Sequence, residues 1–177
     1  MIRALVRLTA ALLLSAAPAV AQDFNADYKV TGKYDLNIGE ATATLYSVDD
    51  LAKKRSGVER HEVMGQVFYN IGGRADVDGA PGQPRIEVQI GPAKFPPRNI
   101  SSVTLVMDGA VFMSEAEIGG SAEISNVSWG DNGALNFDFS SLVKAAKYGS
   151  DGNIVAVDPD LPLLEVEGHY EGVVPLN

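Results

Sequence analysis

The most suggestive chemistry in the chain lies near its C-terminus, where ionisable side chains occupy every second position. They are Glu165, Glu167, His169 and Glu171. In a β-strand, alternate residues point to the same face and lie about 6.5–7 Å apart. Three carboxylates and one imidazole on a single face could coordinate a divalent cation such as Zn²⁺ or Cu²⁺. The pattern therefore makes these residues a candidate metal site.

A second interpretation of this row requires no metal. Metal sites usually gather ligands from several elements, whereas one strand supplies only a line of side chains. His61, beside Glu62 in an earlier segment, is a candidate additional ligand, but no pattern in the sequence indicates that the two segments pair. Charged residues on an outer face also keep a protein soluble and discourage edge-to-edge pairing. We favour this solvated outer face over the metal site.

Other catalytic motifs are sparse. The chain has two histidines, His61 and His169, so a histidine-dependent hydrolase would have to use one of them with partners from elsewhere. It contains no Gly-x-Ser-x-Gly elbow, no His-Glu-x-x-His helix and no glycine-rich phosphate loop. Asp76 and Asp78 precede Gly79 as in a calcium loop, but the closing glutamate is missing. We therefore predict no cofactor, and we favour a binding protein over an enzyme.

The acidic composition and the lack of cysteine exclude several classes of protein. The chain has 177 residues, a formal net charge of −9 and no cysteine. Binding to nucleic acid or to anionic lipid requires a concentrated basic surface, and the only dense basic run is Lys53–Arg55. Disulfides, thiolate zinc sites and an N-terminal lipid anchor all need cysteine. The predicted partner is a protein or a small molecule.

Residues 1–21 have the three-part pattern of a cleavable signal peptide. The parts are, in order, the basic residues Arg3 and Arg7, the apolar run Leu8–Ala17, and the cleavage-site residues Ala19, Ala21 and Gln22. The apolar run is shorter than the ~20 residues that cross a bilayer, which argues against a membrane anchor. The leader predicts a bacterial protein that is periplasmic or secreted. Its mature part, 22–177, has no predicted membrane anchor and is expected to form one domain.

Alternation of apolar and polar residues dominates the mature chain and predicts strands. We expect them near Tyr28–Ile38, Arg60–Ile71, Arg85–Ile90, Ser102–Met107, Ser121–Trp129, Leu135–Phe139 and Leu163–Val173. With shorter segments between these, the total is about nine strands, which indicates an all-β antiparallel sandwich or small barrel. Asp108-Gly109 is typical of a tight hairpin turn. A change of phase near Ser125 or Asn126 predicts a β-bulge.

Two short helices and one long loop interrupt this predicted pattern. Ser47 and Asp50 form a capping box that could begin a helical turn reaching Arg55. Ser140-Ser141 could cap a second helix through Ala146. Glycines and prolines between Gly72 and Pro84 predict a loop.

The alternation also predicts which side chains are buried. The expected core comprises Val30, Leu36, Val67, Ile86, Val88, Leu105, Ile124, Leu135, Phe137, Phe139, Leu164 and Val166. Trp129 is expected to pack at the edge of this core, with stacking on a ligand as the alternative. The loop Phe95–Asn99 is expected to be a rigid connection, with a ligand rim as its alternative.

Three functions remain open at this point. The first is an exported binding or interaction domain without catalysis, which we favour because no catalytic motif is present. The second is a periplasmic hydrolase that uses carboxylates or a single histidine. The third is a small outer-membrane barrel, against which several predicted strands are too short and the aromatic residues too few.

Overall fold

The computed structural model describes residues 24–91, 100–148, 154–157, 161 and 163–176. The predicted leader, with its cleavage site at Ala19, Ala21 and Gln22, lies outside these residues, as does the loop Phe95–Asn99.

The described chain consists almost entirely of antiparallel strands. They are β1 Tyr28–Ile38, β2 Ala41–Asp50, β3 Val58–Val63, β4 Gln66–Val77, β5 Ala80–Ile90, β6 Ile100–Met107, β7 Ala110–Met113, β8 Ser121–Trp129, β9 Ala134–Tyr148, β10 Ile154–Val157 and β11 Leu164–Val173. One 3₁₀ turn, Ala116–Ile118, is the only helical element in the described residues. This is the all-β antiparallel class, a sandwich or small barrel, that the alternation predicts.

The sheet curls into a ring that β9 closes. The strand order runs β9, β11, β1, β2, β4, β5, β6, β7, and β7 then pairs with β9 again. β9 has 15 residues and pairs with four strands. Its first part pairs with β8 and β11, and its end pairs with β7 and β10. The long strand therefore joins both ends of the sheet.

Aromatic side chains fill the inside of the ring. Tyr34, Phe137 and Tyr170 are completely buried, and the rings of Tyr34 and Tyr170 lie 4.7 Å apart. The hydroxyl of Tyr34 donates a hydrogen bond of 2.9 Å to the carbonyl of Ile71 on β4. Burial raises the pKa of Tyr170 to about 12. Rings contributed by β1, β9 and β11 therefore fill one continuous core.

Glycines make room for these rings. Gly32 and Gly172 are direct partners on β1 and β11, and a Cβ on either would overlap the hydroxyl of Tyr170. A Cβ on Gly73 would likewise overlap the ring of Tyr34. A small closed sheet leaves little interior depth, so a large ring lies flat against the sheet only where the backbone beneath it carries no side chain.

Most of the predicted core is confirmed. Val67, Ile124 and Leu164 are half-buried against the core cluster, and the remaining predicted residues are buried except for one. The exception is Val30, whose side chain is 45% exposed. A bulge between Val30 and Gly32 shifts the pairing of β1 with β2, so alternation counted back from Leu36 puts Val30 on the wrong face.

Both predicted helices are wrong. Ser140 to Ala146 lies within β9, where Val143 is buried and Leu142 is exposed. The segment has partner strands along both of its edges, and this pairing outweighs a local preference for helix. Ser47 belongs to β2, and residues 51–54 form a turn that returns the chain to a bridge between Asp50 and Arg55.

Two predicted boundaries are also wrong. The single strand expected over Arg60–Ile71 is a hairpin, because Met64 and Gly65 turn with positive φ values of 53° and 75°. The loop expected between Gly72 and Pro84 is instead the end of β4 and the start of β5, joined at Asp78-Gly79.

The predicted bulge in β8 is confirmed. Three steps along β8, from Ser125 to Ser128, match two steps along β9, from Asp138 to Asn136. Asn126 adopts a φ of 50°, a left-handed conformation that asparagine tolerates better than most residues. The predicted hairpin at Asp108-Gly109 is confirmed as well, with φ values of 52° and 78°.

Candidate functional site

The predicted row of ionisable residues lies along the outside of β11. Glu165, Glu167, His169 and Glu171 are all exposed, and they alternate with the buried or half-buried positions of the strand. β1 on one side and β9 on the other place further polar residues beside them. His169 is the direct partner of Asp35 on β1 and of Asp138 on β9.

A chain of side-chain contacts crosses three strands at His169. Its Nδ1 lies 2.6 Å from Oδ1 of Asp138. The second oxygen of Asp138 accepts a hydrogen bond of 2.6 Å from the amide of Asn126. Asn126 reaches Asp138 because it is the extra residue of the β8 bulge, and bulges re-aim side chains in this way. The contact orients the His169 ring and turns its Nε2 away from the carboxylate.

These contacts lower the pKa of the Asp138 carboxyl. The hydrogen bond from Asn126 is the largest cause, followed by the contact with His169, and both favour the ionised form. Asp138 and His169 are nevertheless about half exposed, at 41% and 48% of their side-chain surface. Solvent therefore screens much of the interaction between them.

The structure gives the predicted metal site no added support. No group of three or more histidine, aspartate or glutamate side chains in the described residues is placed to hold a metal ion. His61, the candidate extra ligand, lies on β3, and the sheet order puts β4, β2 and β1 between β3 and β11. It contacts Glu59 instead, with Nε2 3.3 Å from the carboxylate. The metal site stays a prediction.

A cleft on the outside of the sheet lies apart from this row. Its volume is about 530 Å³. The lining comes from β1 to β5 and the β2–β3 connection: Tyr28, Tyr46, Val48, Asp50, Lys53, Arg55, Ser56, Gly57, Glu59, Asn70, Gly72, Arg74, Pro81 and Glu87. The cleft opens where β2 and β4 diverge, since these strands pair only at Tyr46 and Arg74.

Glycines line the cleft where the two strands diverge. The N–H of Gly72 donates a hydrogen bond of 2.8 Å to the carbonyl of Gly57. The hydroxyl of Ser47 donates to the carbonyl of Gly72 at 2.5 Å. A Cβ on Gly57 would overlap the backbone of Val48, and a Cβ on Gly72 would lie 3.2 Å from the carbonyl of Gly57. The two glycines therefore let the backbone segments approach closely at the floor of the cleft, and polar side chains surround it. The sequence contains one signal of this cleft, the Gly72-Gly73 pair.

Some charged side chains of the cleft form ion pairs and others do not. Asp50 binds Lys53 at 3.2 Å and also accepts a hydrogen bond from its backbone N–H, which is the largest cause of the lowered pKa of Asp50. Glu59 contacts His61. Arg55, Arg74 and Glu87 form no ion pair with any residue that the structure describes. The cleft therefore presents charged groups of both signs to a ligand.

The ring of Trp129 packs as expected. It is half-buried at the end of β8, and its centroid lies 5.8 Å from that of the buried Tyr69. This contact places Trp129 at the edge of the core, as its position at a strand end predicts. Trp129 does not line the cleft.

Comparison with known proteins finds no relative. No protein-family model matches the chain, and neither the curated proteins nor the solved structures contain a match. Among the described residues, no helix combines the length and the apolar character needed to cross a bilayer. The two outer surfaces, the row on β11 and the cleft, are therefore the features from which a function can be inferred.

Proposed function

We propose that the chain is an exported, non-catalytic binding protein whose ligand occupies the cleft between β2 and β4. The observation that carries this proposal is the cleft itself. Its volume of about 530 Å³ falls in the range of small-molecule sites. Two tyrosines, Tyr28 and Tyr46, supply flat amphipathic surface, and charged groups of both signs surround them.

The character of the lining favours a small polar ligand over a large apolar one. Val48 is the one aliphatic hydrophobic side chain in the described lining, and it is buried. Asn70 and the charged residues can donate and accept hydrogen bonds, which fix the orientation of a polar molecule. The acidic charge of the chain as a whole also agrees with a ligand other than nucleic acid.

A ligand screen with a matched pair of variants tests this proposal. Chemical shifts of the ¹⁵N-labelled mature protein would be followed against amino acids, sugars, organic acids and phosphate esters. We expect saturable shifts of the cleft residues for at least one class, and their loss in Tyr46→Ala. Thr42→Ala changes an exposed residue of the same strand that lies outside the cleft, and should leave binding intact. Shifts that survive in Tyr46→Ala would rule out this cleft as the site.

A second candidate function, hydrolysis, is favoured by one observation, the contact between Asp138 and His169. In such a pair the carboxylate holds the imidazole with its proton on Nδ1, so that Nε2 can act as a general base. His169 would take a proton from water as the water oxygen attacks an ester carbonyl. The imidazolium would then return this proton to the departing alcohol.

The two histidines of the chain give this second candidate a clean test. Hydrolysis of p-nitrophenyl acetate by the wild type should exceed that of His169→Gln and match that of His61→Gln. His61 is comparably exposed and also contacts a carboxylate, so it controls for a surface imidazole in general. Equal rates in all three proteins would eliminate hydrolysis by this pair.

A further inference from the structure

Two arginines lie directly opposite each other at the edge of the cleft, and one of them, Arg74, lines it. Arg74 on β4 and Arg85 on β5 are cross-strand partners on the outer face, and both are exposed. Neither forms an ion pair with any part of the chain that the structure describes. Like charges in direct opposition destabilise a sheet. Their adjacency is unexpected, because the chain has 23 acidic and 14 basic residues, enough carboxylates for every arginine to have an acidic partner.

The neighbouring groups extend this positive surface into the cleft. Tyr46 on β2 is the partner of Arg74 on the side away from Arg85 and lines the cleft with it. Arg55 also lines the cleft. The carboxylate of Asp50 is held by Lys53 and also attracts Arg55. Arg74 inside the cleft and Arg85 beside it are thus the guanidinium groups most available to a ligand.

Guanidinium groups in this setting have a well-defined chemical preference. The planar fork of arginine binds carboxylate and phosphate oxygens through paired hydrogen bonds. An oxyanion between two opposed arginines also removes their mutual repulsion, so binding gains from both effects. The cleft is large enough for the rest of a small molecule.

We propose that Arg74 and Arg85 form an oxyanion subsite, which takes the carboxylate or phosphate group of the small ligand bound in the cleft. This inference rests on the proposed binding function and names the chemical class of its ligand. Glu87 lies two positions from Arg85 on the same face and lines the cleft. It repels a second negative charge and accepts hydrogen bonds. The ligand therefore carries one anionic group together with amine or hydroxyl donors.

Titration with inorganic phosphate and with acetate, at constant ionic strength set by chloride, tests the subsite. We expect the mature protein to bind at least one of them saturably in isothermal titration calorimetry. Arg74→Gln and Arg85→Gln should each weaken binding by about tenfold, as expected for a lost charged hydrogen bond. Glu87→Gln should strengthen it, because a repelling carboxylate is removed. The two anions separate a phosphate ligand from a carboxylate ligand.

The control variant removes the same charge elsewhere. Lys147→Gln changes an exposed residue of β9 that does not line the cleft, and should bind as the wild type does. Equal weakening in Lys147→Gln and Arg74→Gln, or no binding of either anion by the wild type, would overturn the subsite. A neutral ligand that binds the cleft and is lost in Tyr46→Ala would leave the binding function standing, so the two proposals fail separately.

A second measurement does not depend on binding. If the opposed arginines repel each other, Arg85→Gln should raise the melting temperature of the ligand-free protein in low salt, and added chloride should shrink the difference. Lys147→Gln should not show this salt-dependent gain. A lower melting temperature for Arg85→Gln than for Lys147→Gln in low salt would contradict the repulsion on which the subsite is argued.

Discussion

At the scale of single residues, one carboxylate connects the outer faces of three strands. Asp138 on β9 contacts His169 on β11 and Asn126 in the bulge of β8. The sequence places His169 in a row of charged residues, and the structure confirms that the row shares one exposed face. Its principal partner could not be predicted, because it comes from a strand 31 residues earlier in the chain.

Replacing this carboxylate should change how stability depends on pH. The pKa of Asp138 is lowered in the folded protein, so its contribution to stability is complete above the unfolded value of about 3.9. That contribution is lost as the pH falls through the lower, folded pKa. Between pH 6 and pH 3, wild type should therefore lose more free energy of unfolding than Asp138→Asn, measured by urea denaturation. Asp108→Asn, which changes an exposed turn residue, should behave as wild type does.

Burial separates two apolar residues that alternation alone treats alike. Phe137 is completely buried and lies 5.2 Å from the ring of Tyr170, whereas Val30 is 45% exposed. Phe137→Ala should cost about 3–5 kcal/mol of unfolding free energy, since it leaves a cavity in the ring. Val30→Ala should cost about 0.5 kcal/mol or less. Similar losses for both in chemical denaturation would contradict the placement of the core.

At the scale of elements, adjacent glycines do two different jobs on the two faces of one strand. Gly73 points inward and admits the ring of Tyr34, while Gly72 lets the backbone of Gly57 approach closely at the outer cleft. In the sequence these glycines resemble the punctuation of a loop, which is why a loop was expected between Gly72 and Pro84. The sequence does not distinguish a glycine that makes room for a ring from a glycine that turns the chain. Only the packed structure shows which role each glycine has.

The same limit explains the wrongly predicted helix at Ser140 to Ala146. Its residues suit either structure locally, and pairing with β8 and β11 decides the outcome. The strands on either side of Asp108-Gly109 were predictable, because this pair is typical of a tight hairpin turn. The bulge in β8 was also predictable, because it interrupts the alternation of apolar and polar residues within a single segment of the sequence. The cleft was not predictable from the sequence. It depends on the divergence of β2 from β4 and on the contact between Gly57 and Gly72, which are distant in the chain.

The glycines that face Tyr170 give a test of this packing. Gly172→Ala adds a Cβ that overlaps the Tyr170 hydroxyl, and should cost about 1–3 kcal/mol of unfolding free energy. Tyr170→Leu in the same chain should make the cost of Gly172→Ala smaller, because the overlapping ring is gone. A double-mutant cycle in urea measures this coupling, and additive costs would show that the ring and the glycine do not compete for space.

At the scale of the whole molecule, the predicted leader makes the proposed export testable. The intact mass of the exported form, expressed from the full chain in a bacterium, should correspond to a chain that begins at Gln22. Arginine in place of Ala19 or Ala21 should leave the precursor uncut, because the peptidase accepts only small side chains there. An exported protein whose mass still includes Leu8–Ala17 would show that the leader is an anchor.

The pairing of β1 with β11 has a consequence for when the protein folds. β11 is inserted between β1 and β9, so the ring cannot close until β11 has been synthesised. Contacts between such distant parts of a chain also form slowly. A nascent chain that stops short of β11 lacks the strand between β1 and β9. If the protein is exported as proposed, this order of strands keeps the nascent chain unfinished, and therefore able to pass through a secretion channel, until β11 has been made.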